Sequence, residues 1–510
     1  MDSGFQRAKP RVLIFIVAYN AEKTIGSVVR RIPRELAEHY EVDILIIDDA
    51  SDDATFAQSC LAGSAADTPF PIHALYNPVN QGYGGNQKLG YHYAIRNGYD
   101  FVALIHGDGQ YAPERLPELL EPLRTGEAGA VFGSRMLTRL GALKGGMPLY
   151  KFAGNRILTW IENRLLRSHL SEFHSGYRLY SVRALQTIPF ERNSRDFHFD
   201  TEIIIQLLIA GIPIRELPIP TYYGDEICYV NGMKYAAQVV MAASKARLQE
   251  MSLFYDRRFD CAPAERSSPY TLKLDYLSPH TMARDRVPAG CRVLDLGCAG
   301  GYMASVLKED KGCFVTGVDV EPPASRNRLD EFQLHDLNAG VPRSAESGYD
   351  VVLMLDVIEH LNRPESFLEE LRAKLALQAS AELLISTGNV ACGVTRLMLL
   401  LGQFNYGKRG ILDITHTRLF TFGSLRRLLR QAGFEILETR GVPAPFPLAI
   451  GDNWISRSLL AINQLLIRLS RGLFSYQIFM RVRPERTIES LLQLAEEKSS
   501  ARAATLESVA

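Results

Sequence analysis

The chain lacks long apolar runs, an excess of either charge and paired cysteines, and each absence removes a class of protein. Its early apolar stretch, Leu13 to Ala18, is far shorter than the roughly 20 residues that span a bilayer. The opening residues MDSGFQRAKPRV hold no apolar signal-peptide core, so neither a leader nor a membrane helix is expected. Lys+Arg and Asp+Glu both number 57, which leaves no net field to collect nucleic acid or an anionic membrane. No nucleic-acid partner is expected. The seven cysteines, Cys60, Cys228, Cys261, Cys291, Cys298, Cys313 and Cys392, are odd in number and show no CxxC spacing. That argues against a disulfide framework and a zinc site, and a cytoplasmic protein fits best. No period of 20 to 50 residues recurs, so the two halves are not repeats.

What is present is two α/β series in 510 residues, enough for two folded units. From Arg11 to about Met241, the apolar runs RVLIFIVAYN, VDILIIDDAS, DFVALIHGDG and GAVFGSR alternate with helical segments, the pattern of a parallel sheet flanked by helices. A second series runs through CRVLDLGCAGG, CFVTGVDVEP, YDVVLMLDVIEH and AELLISTGN to FEILETRGV and YQIFMRVRP. The domains are drawn at 1–245 and 289–485, with a Pro- and Ser-rich linker at 246–288 and a frayed polar tail at 486–510.

Ligands of open parallel sheets bind at the carboxyl ends of the strands. Four such ends in the first half carry polar residues: Tyr19-Asn20, Asp48-Asp49, Asp108-Gly109-Gln110 and Ser134-Arg135. In HGDGQYAPE, an extended stretch would turn the oxygens of Asp108 and Gln110 to one side, which suits Mg²⁺ or Mn²⁺ bridging two phosphates. Each acid alone can equally be a helix cap. The turn NQGYGGN either approaches a nucleotide or is only a tight turn.

The ordered set VAYNAE, IDDASDD, NQGYGGN, HGDGQYAPE, GSR, FHSGYRLY and DFHFDTEI resembles the family 2 glycosyltransferases of GT-A fold, with polyprenyl-phosphate sugar synthases as suggested relatives. The resemblance spans roughly residues 10 to 235 and implies a nucleotide diphosphate sugar donor and a glycan or lipid-linked acceptor. It implies Asp48 and Asp49, beside Tyr19, at the base and ribose. Asp108 and Gln110 fall at the metal and diphosphate, with Arg135 and Arg156 on phosphate. His106 stands where the family often has another Asp, one negative charge fewer for a metal. A hydroxyl acceptor needs a base, for which Asp200 and Glu202 are the candidates. In a strand both would share a face, whereas a helix start would make Asp200 its N-cap. A phosphate acceptor needs no base. His174, Ser175, Tyr177 and Arg178 can line the acceptor side, as can TYYGDEICYVNG, or they can be packing.

In the second half, Asp295-Leu-Gly-Cys-Ala-Gly-Gly301 forms a glycine-rich strand-to-helix turn. Asp319 ends the next strand, where an acid can hold a ribose in either nicotinamide or S-adenosylmethionine sites. The further succession of His335-Asp336-Leu337 and Asp356-Val-Ile-Glu359-His360 resembles the class I methyltransferases, and so implies S-adenosylmethionine. Asp319 is then implied at the ribose, Asp336 near the adenine, and Gly297 and Gly301 along the methionine portion, with Asp295 and Asp356 completing the set. Ala299 replaces a common glycine. His360 and His416 are the candidate bases, each with a purely structural alternative; Glu359 can hold cofactor or cap a helix.

The spacing of Ile455, Leu459, Ile462, Leu466, Leu469 and Leu473, near Arg457, Arg468 and Arg471, is that of a core stripe. Its alternative, shared with VTRLMLLLGQF, is peripheral contact with the inner face of a membrane. The combined expectation is a glycosyltransferase fused to a methyltransferase acting on a related product. Two rivals stand beside it: a nucleotidyltransferase in the first half, and a degenerate binding module in the second.

Overall fold

The computed structural model describes residues 9–64, 68–138, 141–220, 231–251, 255–261, 274–323, 328–346, 348–376 and 381–486. The chain divides into two compact units, Met1–Gln249 with Asp256–Arg266, and Glu250–Tyr255 with Ser267–Ala510. The expected acceptor segment TYYGDEICYVNG, save its last two residues, and the tail from 487 onward lie outside the described residues.

In the first unit, seven strands form one sheet in the order β3-β2-β1-β4-β6-β5-β7. They are β1 (Arg11–Ala18), β2 (Glu41–Asp48), β3 (Ile72–Tyr76), β4 (Phe101–His106), β5 (Ala130–Ser134), β6 (Arg178–Ser181) and β7 (Ile214–Pro218). Pairing is parallel except at β6, which runs antiparallel to β4 and β5. Helices cover both faces, so the central strands are apolar on both sides. Along β1, Val12, Ile14 and Ile16 join one core cluster, while Leu13 and Phe15 join the other.

The second unit repeats the plan with the order β10-β9-β8-β11-β12-β14-β13. Its strands are β8 (Arg292–Leu296), β9 (Phe314–Asp319), β10 (Glu331–Leu334), β11 (Val351–Leu355), β12 (Glu382–Gly388), β13 (Phe434–Val442) and β14 (Gln477–Pro484). Only β14 opposes its neighbours. On β11, Val352 and Met354 face one cluster, and Val351, Leu353 and Leu355 the other.

Much of the expected linker is regular structure. The helix Gly232–Glu250 enters it, and the helix Pro279–Arg286, started by a Ser278–Thr281 capping box, leaves it. Between them, residues 256–261 return to the first unit: Phe259 packs with Ile205, Ala242 and Ala246. The return is fastened by Arg258, whose guanidinium bonds Glu202 and clasps Asp256. Glu202 is fully buried, so removing its cation leaves an uncompensated charge. Arg258→Ala is therefore expected to cost about 3 kcal/mol, read as faster urea-dependent hydrogen exchange in the helix Phe199–Ile209; unchanged exchange would show the pair to be idle.

Candidate functional sites

Register brings the polar strand ends of the first unit to one sheet edge. Ala18 pairs with Asp48, and Val17 with His106. The Asp49 and Gly107 amides donate back to the carbonyls of Ala18 and Val17, both at 2.9 Å. Since β5 opposes β6, which opposes β4, Ser134 and Arg135 emerge at the same edge. Asp108 and Gln110 do not lie on an extended stretch as expected. Gly109 is left-handed (φ 79°), and the Gln110 amide donates to Asp108 Oδ1 at 3.0 Å, which makes a tight turn.

Several predicted ligands are already engaged. Asp48 Oδ1 accepts from the Ser51 amide and hydroxyl, while Tyr19 is exposed beside it. Asp49 Oδ1 accepts from Asn77 Nδ2 and the Gln81 amide, both at 2.8 Å, and so anchors the loop before the glycine-rich turn. Arg135 is clamped on buried Glu172, donating through Nε at 2.9 Å, and also donates to the His174 carbonyl. Burial raises the Glu172 carboxyl, but the guanidinium outweighs it and holds the group below its usual range. Arg156 stands on the exposed side of the helix Leu149–Leu166, over the Phe152 ring. Arg178 is fully buried against Phe132 and donates to the Phe173 carbonyl, so it is a core cation rather than a surface acceptor ligand.

The acids of DFHFDTEI lie in a helix, Phe199–Ile209, whose N-cap is His198 rather than Asp200. Asp200 is 5% exposed. Its Oδ2 accepts from Tyr83 Oη at 2.9 Å and lies 3.6 Å from Arg178 Nε; its Oδ1 accepts from Gln87 Nε2 at 3.1 Å. Glu202 turns elsewhere, to Arg258 and the Ser194 amide. Of the acceptor-side candidates, His174 lies between Tyr235 and buried Glu162. Ser175 and Tyr177 are buried, Tyr177 donating to the Ala112 carbonyl.

The glycines of NQGYGGN serve packing. A Cβ on Gly82 would lie 2.6 Å from the Arg195 carbonyl oxygen, and one on Gly84 2.6 Å from Phe199 Cβ. They let the helix Tyr83–Arg96 close on the segment carrying Asp200. Tyr83 and Gln87, which the sequence pattern did not single out, are thereby brought into the site. Tyr83 Oη is also 3.2 Å from His106 Nε2, and burial followed by the Asp200 charge raises the Tyr83 pKa well above its usual value. Burial lowers that of His106 against the opposing pull of Asp108. Among the described residues, no group of three or more His, Cys, Asp or Glu converges as a metal cage.

In the second unit, the turn 297–301 carries three left-handed residues: Gly297 (φ 77°), Ala299 (φ 45°) and Gly301 (φ 71°). The non-glycine residue there costs about 1 kcal/mol. The turn is closed by Asp319, whose Oδ2 accepts from the Ala299 amide at 2.7 Å. Burial, then Asp319, push Asp295 up to about 7. Asp336 caps a short turn through the Asn338 amide and is exposed. Asp356 has both oxygens occupied, by Ser386 Oγ and Gln477 Nε2 at 2.7 Å each, and ties β11 to β12 and β14. Beside it Glu359 is buried and pushed up to about 8, by burial and then by Asp356.

His360 and His416 are brought together, with ring centroids 4.8 Å apart. Each Nδ1 faces a backbone carbonyl, of Thr415 at 3.2 Å and of Ile411 at 2.9 Å. A carbonyl only accepts, so each Nδ1 carries the proton and each Nε2 keeps its lone pair. Burial, then His416, lower the His360 pKa.

Most of the expected core stripe faces outward, although Leu466 and Leu473 are half-buried and Ile467 is buried. On the helix Trp454–Leu469, Trp454 is 78% and Leu469 82% exposed, with Ile455, Leu459, Ile462 and Leu465 also exposed, while Ser456 is buried. Val394, Leu397 and Leu399–Leu401 of VTRLMLLLGQF are exposed too. In the first unit, the helix Leu149–Leu166 shows the same inversion: Leu149, Tyr150, Ile157 and Trp160 are exposed, and Asn155, Thr159 and Glu162 are buried.

Two doubly covered sheets with polar groups at their carboxyl edges define a chain of two nucleotide- or cofactor-handling domains. The chain carries a glycosyl transferase family 2 domain, matched over residues 13–188, and a methyltransferase domain, matched over residues 256–439. It is a bifunctional transferase. Undecaprenyl-phosphate mannosyltransferase of Micrococcus luteus is 29% identical over 218 residues, covering 41% of this chain and 82% of that protein. Polyprenol monophosphomannose synthase of Mycolicibacterium smegmatis is 26% identical over 219 residues, 43% of this chain and 80% of that one. Ubiquinone biosynthesis O-methyltransferase of Chromobacterium violaceum is 31% identical over 125 residues, 22% of this chain and 49% of that protein.

Proposed function

We propose that the first unit transfers a sugar, with inversion, from a nucleotide diphosphate sugar to the phosphate of a lipid-linked acceptor, and that the second methylates a related glycan product. The observation that carries the acceptor is the state of the two candidate bases. Asp200 meets only donors, and Glu202 is spent on Arg258, so neither is free to take a hydroxyl proton. A phosphate oxygen is already ionised and attacks unaided. The names of the mannosyltransferase relatives fit that acceptor.

Asp48 would hold the donor's nucleoside, while Asp108 and Gln110 offer hard oxygens at the end of β4. Two such ligands suit Mg²⁺ or Mn²⁺, which keep waters and take the remaining positions from phosphate. When bound, the cation would neutralise charge on the departing diphosphate. Release of nucleoside diphosphate from UDP-, GDP- or dTDP-sugars is expected to require Mn²⁺ or Mg²⁺ and polyprenyl phosphate, and to fall about 100-fold in Asp108→Asn. Full activity of that variant would sink the site assignment, and turnover only with a neutral glycan would sink the acceptor.

In the second unit, the turn 297–301 with Asp295 and Asp319 suits S-adenosylmethionine, whose cationic portion matches the acids. The cofactor supplies an already activated methyl group, so the protein's task is to orient the acceptor and accept its proton. His360 Nε2, with His416 beside it, is the base. Because the His360 pKa is lowered, methylation of the first unit's product should be flat above neutral pH and decline only below the ordinary histidine value of about 6.5. His360→Gln should lose about 100-fold in rate at unchanged cofactor affinity. A rate that holds at acid pH, or in the variant, would exclude it.

The outward apolar helices support peripheral membrane contact, where a lipid-linked acceptor resides. Among the described residues, no helix is long and apolar enough to cross a membrane. Trp454→Asp should reduce co-sedimentation with anionic phospholipid vesicles several-fold; undiminished binding would remove that face from the contact.

A further inference from the structure

Register fixes where the exposed apolar helices of the second unit leave its sheet. Gly388, at the end of β12, pairs with Gln477, the first residue of β14, and Gln477 also pairs with Val442, the last residue of β13. Because β12 is parallel to β11, and β11 to β8, these ends lie at the carboxyl edge that holds Asp295, Asp319 and Asp356. The segments 389–420 and 443–476, which carry the helices Gly393–Leu400 and Trp454–Leu469, both leave the sheet at that edge. They share one root. Buried Asn389 donates through Nδ2 to the carbonyls of Gly472 at 3.1 Å and Ser475 at 2.8 Å, while Cys392, Ile411 and Leu412 pack with Tyr476. The first segment also seats the histidine pair, since its Thr415 carbonyl faces His360 Nδ1 and it supplies His416.

Around this pair the surface is apolar and basic. Leu400 is 84% exposed and Ile414, two residues before His416, 67%, with Leu397, Leu401 and Phe404 also exposed. In a chain whose basic and acidic residues are equal in number, the two segments hold seven lysines and arginines against two aspartates and no glutamate. Both aspartates are engaged, Asp413 by the Thr415 amide and hydroxyl and Asp452 by Arg457. Exposed leucines among basic side chains match an anionic membrane interface, where the leucines enter the acyl boundary and the cations meet the headgroups. We infer that this rim seats on an anionic lipid surface with the methyl-transfer site opening within it, so that the second unit methylates a sugar still attached to its prenyl phosphate carrier. This rests on the reading of the second unit as the methyltransferase of the first unit's product. A sugar hydroxyl would give its proton to His360 Nε2 while its oxygen takes the methyl group from the sulfonium sulfur, which departs as a neutral thioether.

Two measurements on the full chain test it. Hydrogen exchange in residues 393–414 should slow when phosphatidylglycerol vesicles are added, and not with phosphatidylcholine. Unchanged exchange overturns the docking surface; protection by self-association without lipid gives the face to a second copy and overturns it too. Methyl transfer from tritiated S-adenosylmethionine is then compared on the first unit's product built on undecaprenyl phosphate in those vesicles and on a water-soluble short prenyl phosphate. The kcat/KM should be about tenfold higher for the long-chain product. That advantage should vanish in the double variant Leu400→Asp with Leu401→Asp, whose retained S-adenosylmethionine affinity shows it to be folded. Equal kcat/KM for the two products overturns the lipid-linked substrate. Failure of the first unit to form product, or of the second to methylate it, with protection by vesicles intact, overturns the underlying reading and leaves the docking surface standing.

Discussion

A parallel strand covered by helices on both faces has no room for polar side chains along its length, because an unpaired polar group there costs several kcal/mol. Both units obey this constraint. Alternate residues of β1 enter opposite core clusters, as do those of β11. Polar chemistry is therefore pushed to the strand ends, and parallel pairing collects those ends on one edge. In the first unit that edge holds Asp48, Asp49, His106, Asp108 and Arg135; in the second it holds Asp295, Asp319 and Asp356. The same rule thus concentrates the chemistry of two unrelated transfers.

Within each edge, the acids divide by whether their oxygens are occupied. Asp49, Glu202, Glu172 and Asp356 each accept from two or more protein donors. Such groups hold segments together: Asp49 the loop before the glycine-rich turn, Glu202 the return of residues 256–261, Asp356 the junction of β11, β12 and β14. Asp319 likewise accepts from the Ala299 and Glu321 amides, one on each oxygen, and fastens the turn 297–301, whereas Asp108 accepts from the Gln110 amide alone on Oδ1. Where a buried cation meets a buried acid, as with Arg178 3.6 Å from Asp200, the desolvation of both is severe and the opposite charge of the partner offsets part of it.

The inverted helices follow a different logic. A helix that buries Ser456 and exposes Trp454, Ile462 and Leu469 gains nothing from water on its outer face. The helix Leu149–Leu166 makes the same choice, and its buried Asn155 bonds the Glu172 that clamps Arg135. In that helix the polar side therefore faces inward, through Asn155 to Glu172, while the apolar side is exposed.

The fold class, the two-unit division and the strand-end residues were legible in the sequence, because apolar runs ending in Asp or Asn report burial on both faces and a ligand edge directly. The positive-φ turn at 297–301 was legible for the same local reason. Tyr83 and Gln87 were not, since their roles arise only when the glycine-spaced helix Tyr83–Arg96 closes on the helix Phe199–Ile209, a contact more than 100 residues apart in sequence. Nor could spacing tell whether the stripe from Ile455 faced inward, because helical periodicity fixes which residues share a face and leaves open which way that face points. What an isolated acid does, whether it binds, caps or fastens, depends on which donors the fold brings to its oxygens. That was decided by tertiary structure alone.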